Sequence, residues 1–267
     1  MGSFAGCSNL ESITIPASVE KLEHTAFLAC YGLKSFRCLS TTPPILGSTE
    51  VFFTEGSKKL DAILYVPSAN AYSEWLPYFN IIVGEDNTVL GICGENLTWK
   101  IENGVLTISG TGEMSSYYLE NGDDRHGPWN DYLEAFTSIV VEEGVTTIGP
   151  YGFAKCSNIT SASLPSTLTK IHWCAFDDCK NLTTLEIPSS VTHIGAYAFD
   201  GCEKLVEKEN NIRYVGSWAV GVSDQSISTY SFRNNTIGIA GRFCCNNNNM
   251  YAFVFGFFLF SYEKSSP

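Results

Sequence analysis

A repeat with a period of 23 residues constrains this chain more than any other feature of its sequence. Four segments beginning with phenylalanine align without gaps, each with cysteine at the fourth position and leucine or isoleucine at the seventh. They begin at Phe4, Phe153, Phe176 and Phe199, and the last three are spaced by 23 residues, as are Phe4 and Phe27. Apolar residues at fixed offsets over such a period are typical of a solenoid, in which each repeat forms one coil that packs on the next.

The pattern within one repeat predicts a short strand followed by an irregular return. Leu182, Leu185 and Ile187 are followed by Pro188, a residue that cannot donate to a strand ladder. The return has apolar residues at uneven spacing, which fits a turn or a 3₁₀-like segment facing the same interior: Val191, Ile194, Ala198 and Phe199. We therefore predict a mainly β leucine-rich-repeat solenoid of 23-residue coils with irregular or 3₁₀ returns and the repeated phenylalanines in single file.

The repeat also resembles a known family. Residues 175–195 are similar to the BspA-type leucine-rich repeats of bacterial and protist surface proteins, with alanine, phenylalanine, cysteine, leucine, proline and glycine in matching order. The resemblance is strongest over residues 1–38 and 139–206. Residues 63–83 resemble the segment that closes a repeat array in this family, and residues 97–112 resemble the β-hairpin that opens a new one.

The repeat positions predict three regions along the chain. Residues 1–88 are the C-terminal part of a first repeat array with its closing segment. Residues 89–222 are a second module, in which a β-hairpin around Asn103 and Gly104 is followed by coils. Residues 223–267 are a degenerate, poorly ordered tail. Since Met1 lies in mid-repeat and no secretory signal peptide follows it, we expect the chain to be a fragment of a longer polypeptide.

Composition and charge exclude several classes of partner. Apolar residues make up 44% and charged residues 16% of the chain, which is typical of a folded protein. The net charge of −12 argues against nucleic acid as a partner, because a phosphate-binding surface needs an excess of lysine and arginine. The longest apolar run, residues 251–260, is too short to span a bilayer, so no transmembrane helix is predicted.

The ten cysteines are mostly a consequence of the repeat. Cys7, Cys30, Cys156, Cys179 and Cys202 share one repeat position, which predicts buried thiols that act as small apolar side chains. Disulfides between some neighbouring coils and a catalytic thiol are the alternatives, although parallel Cβ vectors make a bridge awkward. The vicinal pair at residues 244–245 has the composition of a metal or redox site, but lies in the predicted tail.

No motif predicts catalysis, a metal or a cofactor. The four histidines form no column and have no zinc-ligand spacing. The acidic pairs at residues 142–143 and 177–178 are interpreted as solvated turn charges, with a weak calcium site as the alternative. Asp123, Asp124 and His126 lie in a polar loop without a second convergent group, which makes acid–base chemistry an unsupported alternative. We therefore predict that the chain is not an enzyme.

The leading functional prediction is a non-catalytic binding module whose partner is a protein or a glycan. Outward positions near two predicted strands form the candidate binding face: Thr160, Ser161, Ser163, Thr183, Thr184 and Glu186. The family resemblance implies an extracellular or cell-surface location and adhesion to host or matrix molecules. The alternative is a structural spacer or accessory segment of a larger surface protein.

Overall fold

The computed structural model describes residues 2–52, 59–117 and 126–241. This part of the chain consists of short strands and turns, together with two 3₁₀ helices at Asn70–Trp75 and Asn130–Ala135. The strands, in chain order, are β1 (Ser12–Ile15), β2 (Lys21–Leu22), β3 (Ser35–Cys38), β4 (Ile45–Leu46), β5 (Leu60–Val66), β6 (Phe79–Gly84), β7 (Val89–Ile92), β8 (Leu97–Glu102), β9 (Val105–Gly110), β10 (Gly112–Glu113), β11 (Ser138–Val141), β12 (Val145–Ile148), β13 (Ser161–Ser163), β14 (Lys170–Ile171), β15 (Thr184–Leu185), β16 (His193–Ile194), β17 (Glu207–Glu209), β18 (Ile212–Val215), β19 (Trp218–Val222) and β20 (Gly238–Ile239). The predicted mainly β fold is confirmed.

Ten strands form one main sheet whose spatial order follows the order along the chain: β1, β3, β5, β6, β7, β8, β9, β11, β13 and β15. Neighbours are parallel from β1 to β6 and from β9 to β15, whereas β6 to β9 are antiparallel. We call the coils that carry β1 to β6 the first array and those that carry β9 to β16 the second array. The predicted hairpin is confirmed, because β8 and β9 turn at Asn103 and Gly104, both with positive φ.

The returns of the coils also carry short strands. In the second array, β10, β12, β14 and β16 form a parallel ladder of their own, and in the first array β2 pairs with β4. The returns are therefore more regular than the uneven apolar spacing predicts, since each contains a few residues of strand between its turns.

Equivalent residues of neighbouring coils lie side by side. Ser161 pairs with Thr184, one period of 23 residues later. The ring centroids of Phe153 and Phe176 are 5.2 Å apart, those of Phe176 and Phe199 are 5.4 Å apart, and all three rings are buried. The predicted single file of phenylalanines is confirmed, and each buried ring stabilises the fold by roughly 1.5–3 kcal/mol.

The repeated cysteines form a second column beside the phenylalanines. The thiols of Cys30, Cys179 and Cys202 each donate to the carbonyl oxygen of the phenylalanine 26 residues earlier, at 3.0–3.1 Å. Burial raises the pKa of the Cys156 thiol to about 12, so it stays protonated. The cysteines in the described residues are free thiols, as predicted. The predicted burial is wrong for Cys7, which is exposed; its coil carries β1, the edge strand of the main sheet in the described residues.

The core changes sides along the main sheet. In the first array the inward side chains include Phe36, Leu64 and Ile82, which are cross-strand neighbours in one buried cluster. Strand register places Leu90 of β7 on the same face, followed by Lys100 of β8. From β8 onwards the side chains on this face are half-buried or exposed and mostly polar, with Val105 and Val140 among them, and no core covers them.

The second core lies against the opposite face of the same sheet. Trp99, Ile108 and Val141 are cross-strand neighbours in another buried cluster. The register places Gly91 of β7 and Ile81 of β6 on this face, and Ile81 packs against the cluster. Each array therefore buries one face of its strands and leaves the other face uncovered, and the uncovered faces of the two arrays are on opposite sides of the sheet.

Strands β6 and β7 allow this change because they are apolar on both faces. Residues 81–83 are all apolar, a pattern typical of strands that are covered on both sides. In β7, Val89 belongs to the core of the second array and Leu90 to that of the first. Gly91 lies under the indole of Trp99, since a Cβ atom there would be 2.3 Å from the indole Nε1 atom.

A separate four-stranded sheet, β17 to β20, follows the last coil. In this sheet β18 and β19 are antiparallel and turn at Gly216, which has a φ of 55°. Strand β20 pairs in parallel with β19. Residues 242–267 of the predicted tail lie outside the described residues.

Candidate binding surface

The six residues predicted to contact a partner lie along two neighbouring strands of the second array: Thr160, Ser161 and Ser163 at β13, and Thr183, Thr184 and Glu186 at β15. Ser161 is half-buried and the other five are exposed. The buried residues Ala162 and Leu185 point to the core between them, so Ser161, Ser163 and Thr184 lie on the uncovered face of the sheet. Thr160 and Thr183 precede the strands.

Two of the six side chains are used in the stacking of the coils. The Thr183 hydroxyl donates to the carbonyl oxygen of Thr160 at 3.0 Å, and the Thr160 hydroxyl donates to that of Thr137 at 3.3 Å. The backbone N–H groups of Thr183 and Thr160 donate to the same two oxygens. These threonines therefore form a ladder that joins successive coils, a role that their surface position in the sequence does not indicate.

The other four side chains are available to a partner. Among the described residues, no hydrogen bond is formed by the side chains of Ser161, Ser163, Thr184 or Glu186. Neighbouring parallel strands are about 4.8 Å apart, so the hydroxyls of Ser161 and Thr184 form a closely spaced row. The surface can donate and accept hydrogen bonds, and it carries one carboxylate.

Sequence reasoning missed further residues of the same face. Ser138 and Val140 of β11 pair with Ser161 and Ser163, and Thr107 of β9 pairs with Val140. Ser138 could have been found from the period, since it lies 23 residues before Ser161. Thr107 could not, because it belongs to the hairpin that precedes the repeats.

The acidic pair at residues 142–143 is more than a solvated turn. The carboxylate of Glu143 accepts hydrogen bonds from the Ser166 backbone N–H at 2.8 Å, the Ser166 hydroxyl at 3.1 Å and the Thr167 N–H at 3.2 Å. The Ser166 N–H, first among these donors, lowers the pKa of Glu143. Glu143 is an exposed turn charge, as predicted, and it also links two coils, which the sequence does not indicate.

The second acidic pair lies at a corner with an unusual charge arrangement. Asp177 is half-buried, and its pKa is raised to about 6 by burial and then by the charges of Asp178 and Asp200. Asp200 is one period further along and forms an ion pair with Arg213 at 2.8 Å. Burial and these two carboxylates thus favour the protonated form of Asp177.

Two histidines lie closer together than the sequence predicts. The ring centroids of His172 and His193 are 6.5 Å apart, although the two residues occupy different repeat positions. Burial lowers the pKa of His172, and the neighbouring His193 lowers it further. Within residues 2–52, 59–117 and 126–241, no three His, Cys, Asp or Glu side chains converge in a way that could hold a metal ion.

Two of the alternative sites considered from the sequence fall on residues that the structure does not describe. Asp123 and Asp124 of the acid–base alternative lie there, as do Cys244 and Cys245 of the metal or redox alternative. In the described part of the chain, none of the helices has the length and apolar character needed to cross a bilayer.

A family model matches most of the chain. The model, described as the BspA type leucine rich repeat region, matches residues 1–54 and 131–251 with six copies of the repeat. No protein of curated function matches the chain.

Solved structures of bacterial proteins are similar over parts of the chain. A leucine-rich repeat protein from Eubacterium ventriosum is 28% identical over 43% of this chain and 30% of its own, with a TM-score of 0.35. A leucine rich cell surface protein from Faecalibacterium prausnitzii is 18% identical over 79% of this chain and 45% of its own, with a TM-score of 0.29. The pneumococcal vaccine antigen PcpA is 19% identical over 73% of this chain and 49% of its own, with a TM-score of 0.33. The chain spans less than half the length of each of these three proteins.

Proposed function

The chain belongs to the BspA-type leucine-rich repeat family, and from this membership we propose that it is a non-catalytic binding module displayed at a cell surface. Its ligand is a protein or a glycan of a host, a neighbouring cell or the surrounding matrix. The observation that carries the proposal is the uncovered sheet face of the second array, on which Ser161, Ser163, Thr184 and Glu186 present side chains that take no part in holding the coils together.

Within each coil, the residues that stabilise the stacking are different from those on the uncovered face. Coil stacking is supported by the buried phenylalanine and cysteine columns and by the ladder of Thr160 and Thr183. Residues on the uncovered face can therefore vary without loss of the fold, which is the property that a recognition surface requires. The hydroxyls and the carboxylate of this face suit a polar partner surface.

The alternative function is a spacer or accessory segment of a larger surface protein. The continuous ten-stranded sheet favours it, since a sheet that passes from one array into the next holds both in a fixed relation without any ligand. The spacer hypothesis expects no saturable binding by the isolated chain.

Immobilised matrix proteins and a glycan array, probed with the purified chain, test the binding proposal. Thr184→Arg places a bulky charge on the uncovered face without altering the core, and we expect it to weaken binding at least about 10-fold if the face is used. His193→Arg is the matched control, because His193 is exposed on the return ladder of the same coil. Equal effects of the two substitutions, or no binding by the parent chain, would argue against the proposed face.

A further inference from the structure

The uncovered face of the first array ends at an inside corner. On this side of the sheet, the core of the second array begins at the next strand. It already covers Ile81 and Val83 of β6. The last uncovered strand before this step is β5, and its outward side chains are Ile63 and Tyr65, both half-buried. We call the surface formed by Arg37, Tyr65 and Tyr132 the step corner.

The floor of the step corner is an arginine stacked on a tyrosine. Arg37 and Tyr65 are cross-strand partners, and the guanidinium carbon lies 5.3 Å from the centroid of the Tyr65 ring. The Arg37 Nη1 atom donates to the Glu85 carboxylate at 3.0 Å. This face of Tyr65 already accommodates a cation, held in place by a carboxylate at the end of β6.

The wall of the step corner is the second 3₁₀ helix. Tyr132 packs against Trp99, with ring centroids 6.1 Å apart, and Leu133 packs against the same core. Burial raises the pKa of Tyr132, and the neighbouring Tyr65 and Asp131 raise it further. Strand register runs from Trp99, on which Tyr132 packs, through Gly91 and Ile81 to Ile63 of β5, so the wall and the floor lie on the same side of the sheet.

The charges around the step corner favour a cationic ligand. The basic side chains of the floor are already paired, Arg37 with Glu85 and Lys34 with Asp61. Asp131 and Glu134 on the wall are exposed, and neither forms an ion pair within the described residues. Uncompensated carboxylates beside aromatic rings, in a chain of net charge −12, attract cations and repel anions.

We propose that the step corner binds an extended peptide segment carrying arginine or lysine, with the cationic side chain placed between Tyr65 and Tyr132 and close to Asp131. Tyrosine and arginine are the side chains that concentrate binding energy at protein interfaces, and the inside corner removes water from one side of the ligand. The step corner lies on the opposite side of the sheet from Ser161 and Thr184, so this site is independent of the proposed face of the second array.

The corresponding corner on the other side of the sheet lacks these properties. There the Glu102 carboxylate accepts from the Asn70 amide at 2.8 Å and from the Lys100 ammonium at 3.0 Å. The Thr88 hydroxyl lies 3.4 Å from the same carboxylate. Its polar groups are satisfied by one another, which leaves little for a ligand to gain.

Fluorescence anisotropy with a labelled peptide of alternating arginine and valine tests the proposal on the full chain. We expect saturable binding that Tyr65→Ala weakens at least about 5-fold and Asp131→Asn weakens by a smaller factor. Tyr65→Phe, which retains the ring, should bind like the parent chain. Glu74→Gln is the charge-matched control and should leave the affinity unchanged, because Glu74 is exposed on the first 3₁₀ helix, which packs on the other side of the sheet.

Three results would overturn the proposal. Binding that Tyr65→Ala leaves intact would place the peptide elsewhere. Equal losses on Asp131→Asn and Glu74→Gln would mean non-specific attraction to an acidic chain. Absence of binding by a parent chain with an intact near-UV circular dichroism spectrum would contradict it directly. Loss of matrix or glycan binding on Thr184→Arg, with peptide binding retained, would separate this site from the proposed function.

Discussion

At the residue scale, the corners of the coils depend on backbone conformations that most residues avoid. Lys155, Asp178 and Gly201 occupy one repeat position, and their φ values are 62°, 60° and 69°. Left-handed backbone costs a residue with a Cβ atom roughly 1–2 kcal/mol, so two of these corners carry strain that the third avoids. The stacking of the coils evidently offsets that strain.

Gly201→Ala should destabilise the chain by about 1–2 kcal/mol, because it adds a Cβ atom at positive φ. The added atom would also lie 2.9 Å from the Asp178 Cα atom of the preceding coil. Chemical denaturation measures the change, and Lys155→Ala is the matched control, since Lys155 already carries a Cβ atom at the equivalent corner. A similar loss for both substitutions would refute the conformational explanation.

The pH dependence of stability should include a contribution from Asp177. Its pKa is raised to about 6 in the folded chain from an ordinary value of 3.8, so folding favours the protonated form. This contribution is complete below the unfolded pKa and is lost as the pH rises through about 6. Asp177→Asn should therefore be more stable than the parent chain at pH 7.5, by about 1 kcal/mol or less for a half-exposed group, and equally stable near pH 4.

Thermal unfolding of the Asp177→Asn variant and the parent at the two pH values is the measurement. Glu186→Gln serves as the control for loss of an exposed carboxylate from the same array. If the advantage of Asp177→Asn were the same at both pH values, ionisation of Asp177 would not be its cause.

At the element scale, strand β7 is where the core passes from one face of the main sheet to the other. Val89 and Leu90 serve different cores, and Gly91 admits the indole of Trp99 across the strand. Gly91→Ala should cost about 1–3 kcal/mol, because the new methyl group would overlap the indole. Leu90→Val is a suitable comparison, since it alters packing on the other face without displacing Trp99.

Intrinsic tryptophan fluorescence and denaturation together test this expectation. The displaced indole of Trp99 should change the emission of the Gly91→Ala variant and leave that of Leu90→Val near the parent spectrum. A Gly91→Ala variant of unchanged stability and emission would contradict the position of the indole over β7.

The elements also differ in how much of them the sequence predicts. The coils follow from it directly, because a period of 23 residues carries the phenylalanine and cysteine columns and the short strand before each proline. The sequence does not predict which face of the sheet each residue of β6 and β7 lies on. A run such as residues 81–83 is apolar on both faces, and only the register with distant strands decides which residue belongs to which core. Likewise, the coil-joining role of Thr183 depends on the carbonyl of Thr160 in the preceding coil.

At the scale of the whole molecule, two cores on opposite faces of one sheet should respond separately to damage. Phe36→Ala removes a ring from the core of the first array, where its centroid lies 5.2 Å from that of Phe27, and should cost about 3–5 kcal/mol locally. In a solenoid each coil is stabilised mainly by its immediate neighbours, so the loss should fade with distance along the stack.

Hydrogen exchange followed by mass spectrometry is the appropriate measurement for Phe36→Ala. Amides of β1, β3 and β5 should lose protection, while those of β11, β13 and β15 should keep it. Phe176→Ala is the reciprocal variant, because Phe176 belongs to the other core, and should give the reverse pattern. Uniform loss of protection in both variants would mean that the two arrays unfold as one unit.

The order of the strands in the main sheet, which is the same as their order along the chain, also determines how the molecule would respond to tension. Each strand of this sheet pairs only with strands close to it in the chain. A force applied to the two ends would therefore separate the strand pairs one after another, starting from an end. Each 23-residue coil that yields would release about 80 Å of extended chain, whereas the step from β3 to β5 spans 28 residues and that from β5 to β6 spans 18. A tether of this kind lengthens step by step under load and absorbs work at each step, while the coils not yet reached keep their shape.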